Sequence, residues 1–359
     1  MNLHEALTSA AAAALKATPN KVLALFGTTR CADGWTLAAD VRVSEVAVNL
    51  LSEDFAGLSP VRAREIIEAD ARMGAGPRID VGAVWEDTIA DIPVRFYRPA
   101  GYTDRAQDLP TVLYMHGGGW VTGSPDTHDN TARFLCRGAQ VQVIQVDYPL
   151  APEYPFPHAH NAVGAVVDEV LGGGVGGVDK HRVAVAGDSA GATLSAVACL
   201  ERAARNETQP AMQMLFVPAT NLAEISTASH REFASGHYLT RKQLDWYYDH
   251  YLGTERNRRE WRVSPLFAPR ELLAKVAPAY IAVAGFDPLR DEGIAYAEAL
   301  SAAGTHTTLV VHQGLVHPFV NAFYVWQEAN EAMWQAVGAL RFGLGVQAAG
   351  GKWAKGPRA

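Results

Sequence analysis

The pentapeptide Gly187-Asp188-Ser189-Ala190-Gly191 sets one serine among small residues. An apolar β-branched run, Val183–Ala186, precedes it, and the helix-forming stretch Ala192–Arg205 follows. Such a strand-to-helix turn holds a serine hydroxyl on a strained, exposed bend, where it can act as a nucleophile. The helix beneath it favours negative charge at its N-terminus. A second motif, His116-Gly117-Gly118-Gly119-Trp120, follows the strand-like run Thr111–Met115. Consecutive glycines leave backbone N–H groups open to a developing oxyanion. One such donor is worth about 2.7–4 kcal/mol, judged from a comparable side-chain donor. His116 is read as orienting this loop.

A serine elbow of this kind draws its acid and then its base from further along the chain. Asp287 follows the strand-like run Tyr280–Ala284. Its rivals Asp291 and Glu292 read as the first turn of the next helix, where acids suit the dipole. His317 follows the last strand-like run, Thr307–Val311, with His306 and His312 as less well placed rivals. Ser189 would attack an acyl carbonyl, His317 would take its proton, and Asp287 would hold the imidazole tautomer. No cofactor or metal is called for. The cysteines, Cys31, Cys136 and Cys199, are far apart and lack metal-ligand spacing. They are expected to be buried, reduced and structural, which fits a cytoplasmic setting.

These residues need a scaffold. Val84–Ile89 and Ile92–Tyr97 suggest an antiparallel hairpin. Apolar runs at Thr111–Met115, Val141–Val146, Arg182–Ala186, Gln213–Val217, Tyr280–Ala284 and Thr307–Val311 alternate with helical stretches. The helices are Thr127–Gly138, Ala159–Leu171, Ala192–Arg205 and Glu292–Ala303. That pattern implies a mostly parallel sheet covered on both faces. Two segments are surplus to it. Leu3–Leu25 reads as helical with a break at Pro19, Val41–Leu51 is ambiguous, and Ser59-Pro60 starts a helix reaching about Met73. About 60 residues separate Val217 from Tyr280, far more than a crossover needs. Within them Thr240–Gly253 is helical in texture and rich in aromatics.

The motifs together resemble the hormone-sensitive-lipase-like α/β-hydrolases, the bacterial family IV esterases of the GDSAG subgroup. The resemblance spans about Val94 to Val320 and includes Asp147-Tyr148-Pro149-Leu150-Ala151-Pro152-Glu153 and Asp287-Pro288-Leu289-Arg290-Asp291-Glu292. It departs at Pro149, Asn161, Ala192-Thr193 and Pro318. It implies an α/β-hydrolase fold with an eight-stranded, mostly parallel sheet and a helical cap, hydrolysing carboxylic esters without a cofactor. The N–H groups of Gly118, Gly119 and Ala190 would form the oxyanion hole. The implied division is residues 1–80 and 219–265 as cap, 81–218 and 266–345 as catalytic core, and 346–359 as a disordered tail. Trp120, Asp188, Trp246, Tyr247 and Phe319 are candidate pocket walls, although aromatics at helical spacing more often simply pack.

Composition narrows the alternatives. Hydrophobic residues make up 48% of the 359 and charged ones 19%, ordinary for a globular chain. A net charge of −7 without a basic patch argues against nucleic acid as a partner. No run reaches the roughly 18 apolar residues of a membrane span, and the Ala10–Leu15 run lacks the basic leader of a signal peptide. The expected partner is a small-molecule ester. A homodimer across the last strand is expected as well, since sheet edges tend to be paired. Amide or lactone hydrolysis and acyl transfer would use the same triad, and a non-catalytic binding protein on this fold is a more distant alternative.

Overall fold

A computed structural model describes residues 13–51, 53–102, 104–253 and 257–346. The tail expected to be disordered, from 347 on, and the start of the Leu3–Leu25 stretch lie outside these residues.

Eight strands form one sheet: β1 (Ala83–Ile89), β2 (Ile92–Arg98), β3 (Leu109–Met115), β4 (Gln142–Val146), β5 (Val178–Asp188), β6 (Met212–Phe216), β7 (Ala279–Phe286) and β8 (Thr307–Val316). Their spatial order is β1-β2-β4-β3-β5-β6-β7-β8. The β1–β2 and β2–β4 pairs are antiparallel, and every pair from β4 to β8 is parallel. The hairpin turn places Ala90 and Asp91 both at positive φ, 50° and 64°. Two such residues give a turn whose twist matches that of the strands.

The expectation of a sheet covered on both faces holds. Every residue of β3, β4, β6 and β7 is buried. The strands alternate by residue between two cores. Leu113, Met115, Val183 and Val185 face one, while Val112, Tyr114, Ala184 and Ala186 face the other. Helices α4 (His158–Gly172), α5 (Ala190–Ala204) and α7 (Arg290–Ala303) fill the first core, and α3 (Asp129–Ala139) and α8 (Gln327–Gly343) fill the second.

The N-terminal stretch divides between the two faces. Helix α1 (Ala39–Leu51), ambiguous from sequence, is helical, and Val41 joins Cys31 and Leu37 in the second core. Gln327 N–H donates to Asp40 Oδ2 at 2.8 Å, which ties α1 to α8. Helix α2 (Pro60–Gly74) begins where expected, with Ser59 Oγ accepting from Arg62 N–H at 3.3 Å and Pro60 in the first turn. Phe55, Ala63 and Ile66 lie instead in the first core. There they meet α6 (Arg241–Leu252), the helix of the long β6–β7 connection. A reciprocal Thr240–Gln243 capping box starts α6.

Candidate active site

The carboxyl ends of β3, β5, β7 and β8 bring four loops together, as ligand sites on parallel sheets require. Ser189 lies between β5 and α5 with φ 54° and ψ −120°. Positive φ is costly for a residue with a side chain. It persists here because Ser189 N–H donates to Phe216 O at 2.9 Å on one side and α5 begins immediately on the other. The Ser189 hydroxyl caps no N–H of α5, and the residue is half-buried.

Asp287 leaves β7 and is wholly buried. Its Oδ1 accepts from Leu289 N–H at 2.9 Å, and its Oδ2 lies 2.8 Å from His317 Nδ1. An ionised carboxylate only accepts, so the proton of this bond sits on Nδ1. His317 Nε2 is thereby left with a free lone pair, the tautomer a general base requires. Among the described residues no hydrogen bond joins Ser189 Oγ to His317. Such contacts are often long before substrate binds.

The rivals are engaged elsewhere. Glu292 Oε1 accepts from the N–H groups of Thr220 at 2.6 Å and Asn221 at 3.1 Å. Burial, with the charges of Asp287 and Asp291 adding to it, pushes the Glu292 carboxyl well above its usual range. Asp291 Oδ2 accepts from Ser229 N–H at 2.8 Å. His306 is exposed, and His312 is buried against Phe319.

Gly118 and Gly119 both have positive φ, 117° and 59°. Among the described residues no hydrogen bond uses their N–H groups. The N–H of Ala190, first residue of α5, has no intrahelical acceptor. These are the donors expected to face an oxyanion. His116 lies behind them, stacked on Tyr148 at 4.3 Å, and Tyr148 O–H donates to the His116 carbonyl at 2.7 Å. Burial and the neighbouring His128 lower the His116 pKa to about 4, so the ring is neutral.

The candidate pocket walls separate. Tyr247, on α6, lies against Gly119 so closely that a side chain at that glycine would collide with its ring. The Tyr247 hydroxyl is 3.2 Å from Thr122 Oγ1, which donates to Gly118 O at 3.0 Å. Trp120 is buried, stacked on Tyr251 at 4.1 Å. Trp246 faces the N-terminal segment, donating from Nε1 to Leu58 O at 3.2 Å. Two expectations change. Phe319 is fully buried, edge-on to Phe216 at 6.1 Å, because its turn points into the second core. Asp188 turns its carboxylate under the glycine loop, accepting from Tyr114 O–H at 2.7 Å and Gly117 N–H at 3.1 Å.

Sequence reasoning missed Tyr114 and His128, which contact that carboxylate, and Asn321, which contacts His128. Only proximity to the motifs marked them: Tyr114 two residues before the glycine loop and Asn321 four after His317. Among the described residues no three His, Cys, Asp or Glu side chains are grouped to hold a metal, and no helix is long and apolar enough to cross a membrane.

A family model described as the α/β-hydrolase fold matches residues 112–321. The chain is 37% identical to the carboxylic ester hydrolase LipN of Mycobacterium tuberculosis, over 90% of this chain and 88% of that protein. It is 39% identical to the carboxylesterase NlhH of the same species, over 74% of this chain and 83% of that one. A thermostable esterase from Pseudomonas putida superposes with a TM-score of 0.79 at 32% identity, covering 86% of this chain and 97% of that one.

Proposed function

The chain belongs to the α/β-hydrolase family, and from that premise we propose that it is a serine carboxylesterase of the hormone-sensitive-lipase-like group. Its substrates are small to medium acyl esters, and its intermediate is an acyl-enzyme. The observation that carries this most directly is the buried Asp287 carboxylate 2.8 Å from His317 Nδ1, on the loops beside the positive-φ Ser189. Ser189 attacks the acyl carbonyl while His317 Nε2 removes its proton. Asp287 steadies the resulting imidazolium. The tetrahedral oxyanion is received by the N–H groups of Gly118, Gly119 and Ala190. His317 then protonates the departing alcohol, and a water repeats the sequence on the acyl-enzyme.

Residues 219–265 and the 53–74 stretch form the cap in this proposal. Support comes from Trp246, Tyr247 and Phe55, which pack together beside the glycine loop. Tyr247, packed against Gly119, then walls the acyl or alcohol site. The three free, buried cysteines fit a reducing, cytoplasmic location.

The test is Ser189→Ala, assayed on p-nitrophenyl acetate and butyrate with circular dichroism as a check of fold. Removing a nucleophile that works with its base costs up to about 10⁶ in kcat. A folded variant with loss of at least 10³-fold is expected. Full activity in that variant excludes the proposal.

A further inference from the structure

Behind the reacting atoms lies a buried polar junction that the triad does not use. His128, at the start of α3, is 4% exposed, and its Nε2 lies 3.2 Å from Asp188 Oδ1 and 3.3 Å from Oδ2. The same nitrogen is 2.9 Å from Asn321 Nδ2. On its other side, His128 Nδ1 is 2.8 Å from Thr127 Oγ1. The backbone of His128 is also fixed, with Gln145 Nε2 donating to its carbonyl at 2.7 Å.

Each partner belongs to a different loop of the site. Asp188 immediately precedes Ser189, and it also holds the glycine loop through Gly117 N–H. That approach is so close that a side chain at Gly117 would strike the Asp188 carboxylate. Asn321 closes the 3₁₀ turn Phe319–Asn321, which begins two residues after His317. Thr131, also on α3, donates to Val320 O at 3.0 Å. Burial alone would raise the Asp188 carboxyl, but His128 and the Tyr114 hydrogen bond outweigh it and hold the carboxyl below its usual range.

Proton counting orders the bonds. Thr131 has one hydroxyl proton and two neighbouring oxygens, Val320 O at 3.0 Å and Asn321 Oδ1 at 2.7 Å. Amide orientations are assigned from such networks. With the Asn321 amide reversed, its N–H donates to Thr131 Oγ1, Thr131 donates to Val320 O, and the amide oxygen faces His128. His128 Nε2–H is then shared between Asp188 and Asn321.

We propose that His128 is a positioning residue that ties the nucleophile elbow, the glycine loop and the His317 loop together through Asp188 and Asn321. It touches no reacting atom. It fixes where the imidazole stands relative to the serine and the oxyanion donors, by joining the His317 loop to the elbow and glycine loop that Asp188 already links. A misplacement of about 1 Å at such a site can cost about 10²-fold in rate. The inference rests on the esterase proposal for its kinetic consequence only.

The test uses the full chain with His128→Phe, Asn321→Leu and the double variant, folded by circular dichroism and thermal melting. Expected are 10- to 100-fold losses in kcat for ester hydrolysis, with KM within about twofold. The double variant should lose no more than the worse single one, because one link is cut in each case. A second readout is independent of turnover: the downfield proton NMR signal of His317 Nδ1–H in its bond to Asp287. It should broaden or shift in both single variants and stay put in Ser189→Ala. Unchanged kcat and an unchanged signal in folded His128→Phe overturn the inference. A wild-type protein without esterase activity, whose signal still shifts in the two single variants, overturns the esterase proposal and leaves the inference standing.

Discussion

His160 is a buried imidazole that resists protonation. It sits on α4, 2% exposed, with Nδ1 3.3 Å from Tyr251 O–H and its ring edge-on to Phe156 at 5.3 Å. Burial first, and then the charge of Arg262, lower its pKa to about 3. The unfolded chain accepts this proton near pH 6.5, whereas the folded chain refuses it until about pH 3. Between those values the unfolded state holds more protons, so stability falls as pH falls. The contribution is complete above about pH 6.5 and shrinks on acidification, by at most about 1.4 kcal/mol per pH unit. His160→Gln should therefore lose less stability than the wild type between pH 7 and pH 4.5, measured by urea unfolding. Equal losses would contradict the assignment. The residues around Ser189 follow the same logic of burial. Asp287 and His317 were readable from their order after strands, but Asp188 was misplaced because motif membership does not say which way a side chain turns.

Helix α6 and the loop before α2 come from segments about 190 residues apart, yet they share one aromatic cluster. Phe55 meets Trp246 edge-on at 5.5 Å and Tyr247 at 5.4 Å, and Lys242 reaches Asp54 at 2.8 Å. The exposed Lys242–Asp54 pair adds little. The aromatic contacts, desolvated, are worth about 0.5–1.5 kcal/mol each beyond area burial. A double-mutant cycle of Phe55→Leu and Trp246→Leu, followed by urea unfolding, should return a coupling in that range. Strict additivity would show that the two segments are energetically separate. Arg64 adds a second anchor, donating to Val121 O at 2.8 Å and Ala151 O at 2.9 Å and pairing with Glu153 at 2.6 Å. It fastens α2 to the loop after Trp120. The helical texture of Thr240–Gly253 and the Ser59-Pro60 start were visible as caps and composition. The partnership between them was not, since it depends on where the sheet brings each segment.

The assembled molecule ends its sheet at β8, whose outer edge among the described residues has no strand beside it. Leu309 on that strand is 36% exposed, and Trp334 and Phe342 on the neighbouring α8 are 43% and 89% exposed. Ala38 N–H and Glu328 cover Gly314 near one end, and an edge without a neighbouring strand beside apolar groups favours pairing with another edge. We expect a homodimer there, seen by light scattering after size exclusion as twice the chain mass. Leu309→Lys should convert it to a monomer of unchanged specific activity, and a monomeric wild type would rule the dimer out. Sequence by itself determined the fold class and named the groups proposed to react. Buried strands need continuous apolar runs, a nucleophile elbow needs small residues, and an oxyanion loop needs glycine, so local chemistry wrote these down. Tertiary structure alone decided that residues 31–41 join the second core, that Phe319 packs inward, and that Asp188 braces the glycine loop while meeting His128. Those placements depend on which strands become neighbours and which face each residue presents, and that is settled only when distant segments close around a common core.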